Sequence, residues 1–174
     1  MTNGVNMRNY NTALIVRAAH ILNAIHKSLL IWYSPRQMFD LVSDVPRYPQ
    51  FLPWCDGAQI LQLHDDGQTA EISLNFKGLR QKFSTRNTYI SHASGALEDR
   101  LSLVHGPFSR LEGQWLYTPV GAAVDGVAQA CKVELFLSYS FGNAAMAALV
   151  GPVFNKIASS LVDAFVQRAE SVYG

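Results

Sequence analysis

The sequence predicts an α+β fold: a curved antiparallel sheet of six to seven strands wrapped on one long C-terminal helix, with two short helices after the first strand. Three observations predict it. From about residue 59 to residue 141, apolar and polar residues alternate in runs separated by Gly- and Pro-containing turns, as half-buried antiparallel strands require. After Gly142 the apolar period changes to three and four, as an amphipathic helix requires. The chain has 174 residues, enough for one domain with a sizeable core. A sheet with one apolar face and a helix with one apolar stripe bury both by packing together. A sheet curved round a helix cannot close tightly everywhere, which leaves a cavity between them.

The elements follow in order. Residues 26–34 are apolar and β-prone, with Leu29, Leu30, Ile31, Trp32 and Tyr33 in succession. Ser34-Pro35 stops that strand and opens a short helix as N-cap and first helical residue. Met38, Phe39, Leu41 and Val42 form its apolar face. Next comes Asp44-Val-Pro-Arg-Tyr-Pro-Gln-Phe-Leu-Pro-Trp-Cys55, with three prolines among four large apolar or aromatic side chains. The prolines forbid a long helix or a central strand. The aromatics suit a folded-over connection that roofs a cavity, with Phe51, Leu52 and Trp54 facing in.

In residues 70–78 the even positions Ile72, Leu74 and Phe76 are apolar. A tight turn near Gly78 leads into residues 81–90. Residues 97–104 point Leu97, Leu101 and Leu103 inward. His105-Gly-Pro-Phe108 turns the chain, and residues 109–118 put Leu111, Trp115 and Tyr117 on one face. Residues 130–141 keep Cys131, Val133, Leu135, Leu137, Tyr139 and Phe141 in phase. Gly142-Asn143 caps the last helix, whose stripe is Met146, Val150, Phe154, Ile157, Leu161 and Phe165. Gly151-Pro152 inside it is expected to kink or split it.

Residues 1–25 stand apart. Residues 1–39 carry Arg8, Arg17, Lys27 and Arg36 and no acid, net +4; the remaining ten basic and thirteen acidic residues give net −3. Residues 13–25 have an amphipathic pattern, with Arg17, His20 and Asn23 on one face. Three readings stay open: a stretch upstream of the true start, a membrane-surface or docking helix, or an organelle presequence. The domain is taken as residues 26–174.

Composition excludes several classes. The net charge of +1 argues against a dedicated DNA or RNA binder. Cys55 and Cys131 are far apart and lack metal or dithiol spacing, so both read as reduced, packed thiols. No run approaches the 18 or so uncharged apolar residues that span a bilayer. No nucleophile-elbow or phosphate-loop pattern is present. His20, His26, His64, His92 and His105 fall in the extension, at strand starts or in turns.

The domain resembles the START-like coenzyme Q-binding proteins of the polyketide cyclase/dehydrase superfamily, and among them the bacterial RatA-type ribosome association toxins. The resemblance rests on Tyr33-Ser34 with Met38-Phe39 and Leu41-Val42; Tyr48-Pro49-x-Phe51-Leu52-Pro53-Trp54-Cys55; Phe83-x-Thr85-Arg86-Asn87; Gly106-Pro107-Phe108-x-x-Leu111-x-Gly113-x-Trp115; Val153-Phe154; Arg168-Ala169; and Val172-Tyr173. It implies the helix-grip (START/SRPBCC-like) fold. It also implies non-enzymatic binding of ubiquinone in support of respiration, with no covalent cofactor. The alternative it implies is a toxin that binds the large ribosomal subunit and blocks subunit association. A polyketide aromatase or cyclase is the remote third reading. The implied location is the bacterial cytoplasm, with peripheral contact to the inner membrane, rather than mitochondria.

For a hydrophobic ligand the expected wall is Phe39, Phe51, Leu52, Trp54, Phe76, Phe83, Trp115, Tyr117, Val150 and Phe154. A typical pocket of roughly 300–1,000 Å³ holds only part of a long isoprenoid tail. If the hairpins turn near Ala93 and Pro107, Asn87, Asp99 and Trp115 form one inward cross-strand row. That row suits a ligand head group such as quinone carbonyls, because a buried carboxylate needs partners. An aromatase would need a general acid or base there, and Asp99 has no in-phase histidine or second carboxylate. On the outward side, Lys77, Arg80, Lys82 and Arg86 gather on one hairpin without local carboxylates, a surface for ribosomal RNA or anionic lipid.

Overall fold

The structure is a computed structural model and describes residues 22–174. The chain order is β1 (Asn23–Ile31), α1 (Pro35–Ser43), a 3₁₀ helix (Val45–Gln50), β2 (Cys55–His64), β3 (Gly67–Phe76), β4 (Leu79–Ser91), β5 (Leu97–His105), β6 (Phe108–Val124), β7 (Val127–Phe141) and α2 (Ala144–Tyr173). The strands make one antiparallel sheet of order β1-β7-β6-β5-β4-β3-β2. Its concave face carries the odd-numbered residues of β7, all buried from Cys131 to Phe141, and Leu111, Trp115 and Tyr117 of β6. Val150, Phe154, Ile157, Val162 and Phe165 of α2 bury against that face.

Local chemistry sets the element ends. Ser34 caps α1 with a reciprocal capping box: its hydroxyl accepts from the Gln37 N–H, and its own N–H donates to Gln37 Oε1. Asn143 caps α2 by accepting from the Met146 N–H. The turns Lys77-Gly78 and Asp125-Gly126 hold positive φ at both residues, which matches the twist of a two-residue hairpin. Gly106 has φ +151°, and a Cβ there would lie 2.6 Å from Phe83 Cβ. The Gly106-Pro107-Phe108 turn therefore needs glycine both for its backbone and for its approach to β4.

Several expectations are corrected. β1 starts at Asn23, three residues early, and ends at Ile31, leaving Trp32 84% exposed. The expected helix over residues 13–25 otherwise lies outside the described residues. β2 begins at Cys55 rather than near Gln59. β6 runs on through Pro119 to Val124. Proline is tolerated there because the β5 pairing of β6 ends at Tyr117 and only β7 continues beside it. α2 is not split at Gly151-Pro152 but runs unbroken to Tyr173. By length and composition α2 could cross a membrane; its buried stripe marks it as the core helix of this sheet.

The proline-rich segment docks on the C-terminal half of α2. Tyr48 and Phe51 meet Phe165 edge-on, each with ring centroids 5.3 Å away. The Tyr48 hydroxyl donates to the Val42 carbonyl at 2.6 Å. Arg168 stacks over Phe51 at 5.2 Å and donates to Gln50 Oε1. Tyr173 donates to the Gln37 carbonyl and lies against Tyr33. The Arg168-Ala169 and Val172-Tyr173 motifs thus fasten the last turns of α2 to α1 and to the proline-rich segment.

Candidate functional site

A cavity lies between the concave face and α2. Its wall is mostly apolar, with Leu74, Leu137, Ile157, Ala158 and Leu161 among its lining residues. Of the expected wall, Trp54, Phe83, Trp115 and Phe154 face it, as do Asn87 and Asp99. Six expected residues do not line it. Phe39 packs edge-on against Tyr89 and Tyr117. Phe51 meets Tyr48 and Phe165, and Leu52 and Val150, the latter in α2, are buried in the core. Tyr117 lies parallel to Trp115, ring centroids 6.4 Å apart. Phe76 is half-buried, with Lys77 Nζ at 5.6 Å and Lys156 Nζ at 5.8 Å from its ring. The proline-rich segment therefore gives the cavity Val45, Tyr48 and Trp54 rather than a complete roof. The enclosed free space is about 80 Å³, well below the roughly 300–1,000 Å³ of an ordinary ligand pocket.

One polar group breaks this wall. Asp99 is 2% exposed. The Asn87 amide donates to both of its carboxylate oxygens at 3.0 Å, and the Thr85 hydroxyl donates to Asn87 Oδ1 at 2.8 Å. The expected register needs one correction. Asp99 pairs with Trp115 as expected, but across β4 it pairs with Tyr89, while Asn87 pairs with Leu101. The β4–β5 loop is centred on Ser94, one residue later than expected, which moves the pairing by two. An even shift keeps every side chain on its face, so Asn87 reaches Asp99 diagonally. Among the described residues, Trp115 makes no hydrogen bond to Asp99. Thr85 and Tyr48 also line the cavity but were not among the expected wall residues, although Thr85 shares the inward phase of Phe83 and Asn87.

Burial pushes the Asp99 carboxyl up to about 6, opposed by the Asn87 hydrogen bond and the Arg86 charge. Burial first, and then the Asp99 charge, raises the phenols of Tyr48, Tyr89 and Tyr117. The Tyr89 and Tyr117 hydroxyls are buried without a hydrogen-bond partner among the described residues. Burial pushes the Cys55 thiol to about 11 and Cys131 to about 12, which removes their nucleophilic thiolate forms at neutral pH. Among the described residues, Asp99 is the sole carboxylate on the cavity wall, and no histidine lines it.

The outward basic hairpin is also corrected. Neighbouring strands and the β2–β3 turn supply carboxylates: Asp56 to Arg80 at 3.8 Å, Glu71 to Lys82 at 3.2 Å, and Asp66 to Arg86. Arg86 is structural, since it also donates to the Asn87 carbonyl and so ties the β2–β3 turn to β4. Arg80 and Lys82 remain mostly exposed, and exposed pairs of this kind are weak. Lys156 of α2 joins Lys77 beside Phe76, a neighbour no local sequence signal could show.

A seven-stranded antiparallel sheet gripping a long C-terminal helix around an apolar cavity defines the helix-grip, START-like class. Among solved structures, a START superfamily protein from Mycobacterium smegmatis matches with a TM-score of 0.66 and 20% identity, covering 86% of this chain and 98% of that one. The chain belongs to the family described as "Polyketide cyclase / dehydrase and lipid transport", which it matches over residues 31–166. The ribosome association toxin RatA of Pseudomonas aeruginosa is 39% identical, over 86% of this chain and 97% of that protein. The mitochondrial coenzyme Q-binding protein COQ10 homolog B of Xenopus laevis is more distant, 25% identical over 85% of this chain and 58% of its own length.

Proposed function

We propose that this protein is a non-enzymatic ribosome-association factor that binds the large ribosomal subunit and hinders its joining with the small one. The observation that carries the reading is the 39% identity to a ribosome association toxin over 86% of this chain and 97% of that protein. Two structural features support it. The cavity, at about 80 Å³, is too small for a quinone with its tail unless the wall opens. Lys77, Arg80, Lys82 and Lys156 present cations around the β3–β4 turn, and Arg80 and Lys82 have only weak exposed partners for RNA phosphate to displace. On this reading the protein works in the cytoplasm. The test is subunit joining followed by light scattering. Added protein is expected to lower the joined fraction in proportion to its concentration. Unchanged joining at a large molar excess removes the reading.

A second reading, binding of a hydrophobic ligand such as a ubiquinone, is favoured by the hydrogen-bonded carboxylate set in an otherwise apolar cavity wall. The similarity to a coenzyme Q-binding protein supports it at lower identity. The two readings use different surfaces and are compatible.

A further inference from the structure

We propose that the cavity takes a small apolar ligand bearing a hydroxyl, a phenol or hydroquinone, whose O–H donates to the Asp99 carboxylate. The inference rests on the hydrophobic-ligand reading and is independent of ribosome association. It follows from which hydrogen-bonding groups on the wall are already engaged. The Tyr48 hydroxyl donates to the Val42 carbonyl. The Thr85 hydroxyl donates to Asn87, and Asn87 donates to Asp99. A carboxylate offers about four lone-pair sites, and the one Asn87 amide nitrogen leaves some of them facing the cavity. The dominant polar feature of the wall is therefore an acceptor. Its carboxyl titrates near 6, so it is mainly ionised at pH 7.5 and cannot itself donate.

A quinone carbonyl only accepts, so against this group it meets lone pairs with lone pairs. A hydroxyl donates to Asp99 and keeps its own lone pairs for a donor. The indole N–H of Trp115, the residue directly opposite Asp99 in the β5–β6 register, is such a donor. Of a quinone and its reduced partner, the reduced ring is the one that complements Asp99. From a space of about 80 Å³ the wall must open less for a single small ring than for a substituted ring with a tail.

The test is isothermal calorimetry at pH 7.5 with p-cresol and p-xylene, which share one shape with and without the hydroxyl. With wild-type protein, p-cresol is expected to bind about tenfold more tightly, the factor a hydrogen bond to a charged group contributes. In Asp99→Leu the preference should vanish or reverse. If that variant does not fold, the wild-type comparison still decides. Equal or tighter binding of p-xylene overturns the donor inference and leaves the hydrophobic-ligand reading standing. Binding of neither probe at millimolar concentration overturns both, and leaves ribosome association untouched.

Discussion

Glu98 and Asp99 are adjacent in β5 and opposite in chemistry. Glu98 points to the convex face, where burial raises its carboxyl but hydrogen bonds from Arg100, His92 and Gln114 more than offset this, so it ends below its usual value. Asp99 points inward and has one amide partner, so burial wins and its carboxyl rises from 3.8 to about 6. The folded protein therefore holds the Asp99 proton through the window from 3.8 to about 6, while the unfolded chain releases it. Stability contributed by this site is fully present below the lower value and is lost as pH rises through the upper one. Asp99→Asn should match wild type near pH 3.5 and exceed it above pH 7, by on the order of 3 kcal/mol. Urea denaturation across that range reads the difference, and a gap that does not change with pH rules the account out. The inward phase of Asp99 and Asn87 was legible from strand alternation alone. Their diagonal contact was not, because it depends on where a five-residue loop is centred.

At the scale of elements, caps and turns were the most legible parts. Ser34, Asn143 and the glycine turns act locally, so a few neighbouring residues determine them. The proline-rich segment was legible as a packed connection but not in its direction. Phe51, Leu52 and Trp54 were expected to face the cavity; Trp54 does, whereas Leu52 is buried in the core and Phe51 meets Phe165, more than a hundred residues away in the chain. Gly106 shows how one local signal serves a distant contact. Its positive φ and the 2.6 Å separation a Cβ would have from Phe83 both oppose a side chain. Gly106→Ala is expected to cost about 2–3 kcal/mol, seen as a lower urea midpoint with an unchanged slope. A loss below about 0.5 kcal/mol, the usual size for an unconstrained surface position, would show that the turn tolerates Cβ.

At the scale of the molecule, the fold separates the cavity from the basic hairpin. The concave side and α2 enclose the cavity, while the β3–β4 turn and Lys156 face outward. The cavity itself was legible from element order, but not its size, which depends on how closely α2 and side chains such as Ala158 and Leu161 close on the sheet. The charge balance of the outer hairpin was misread for a related reason. Asp56, Glu71 and Asp66 come from strand β2, strand β3 and the turn between them, so a reading of one hairpin cannot see them. That neutralisation makes any RNA contact a competition with weak exposed ion pairs, hence sensitive to salt. The most direct test of ribosome association is cosedimentation of the purified protein with isolated large and small ribosomal subunits at rising salt. Pelleting with the large subunit alone, with release as salt rises, is the predicted result; pelleting with neither subunit at low salt, or equally with both, would contradict it.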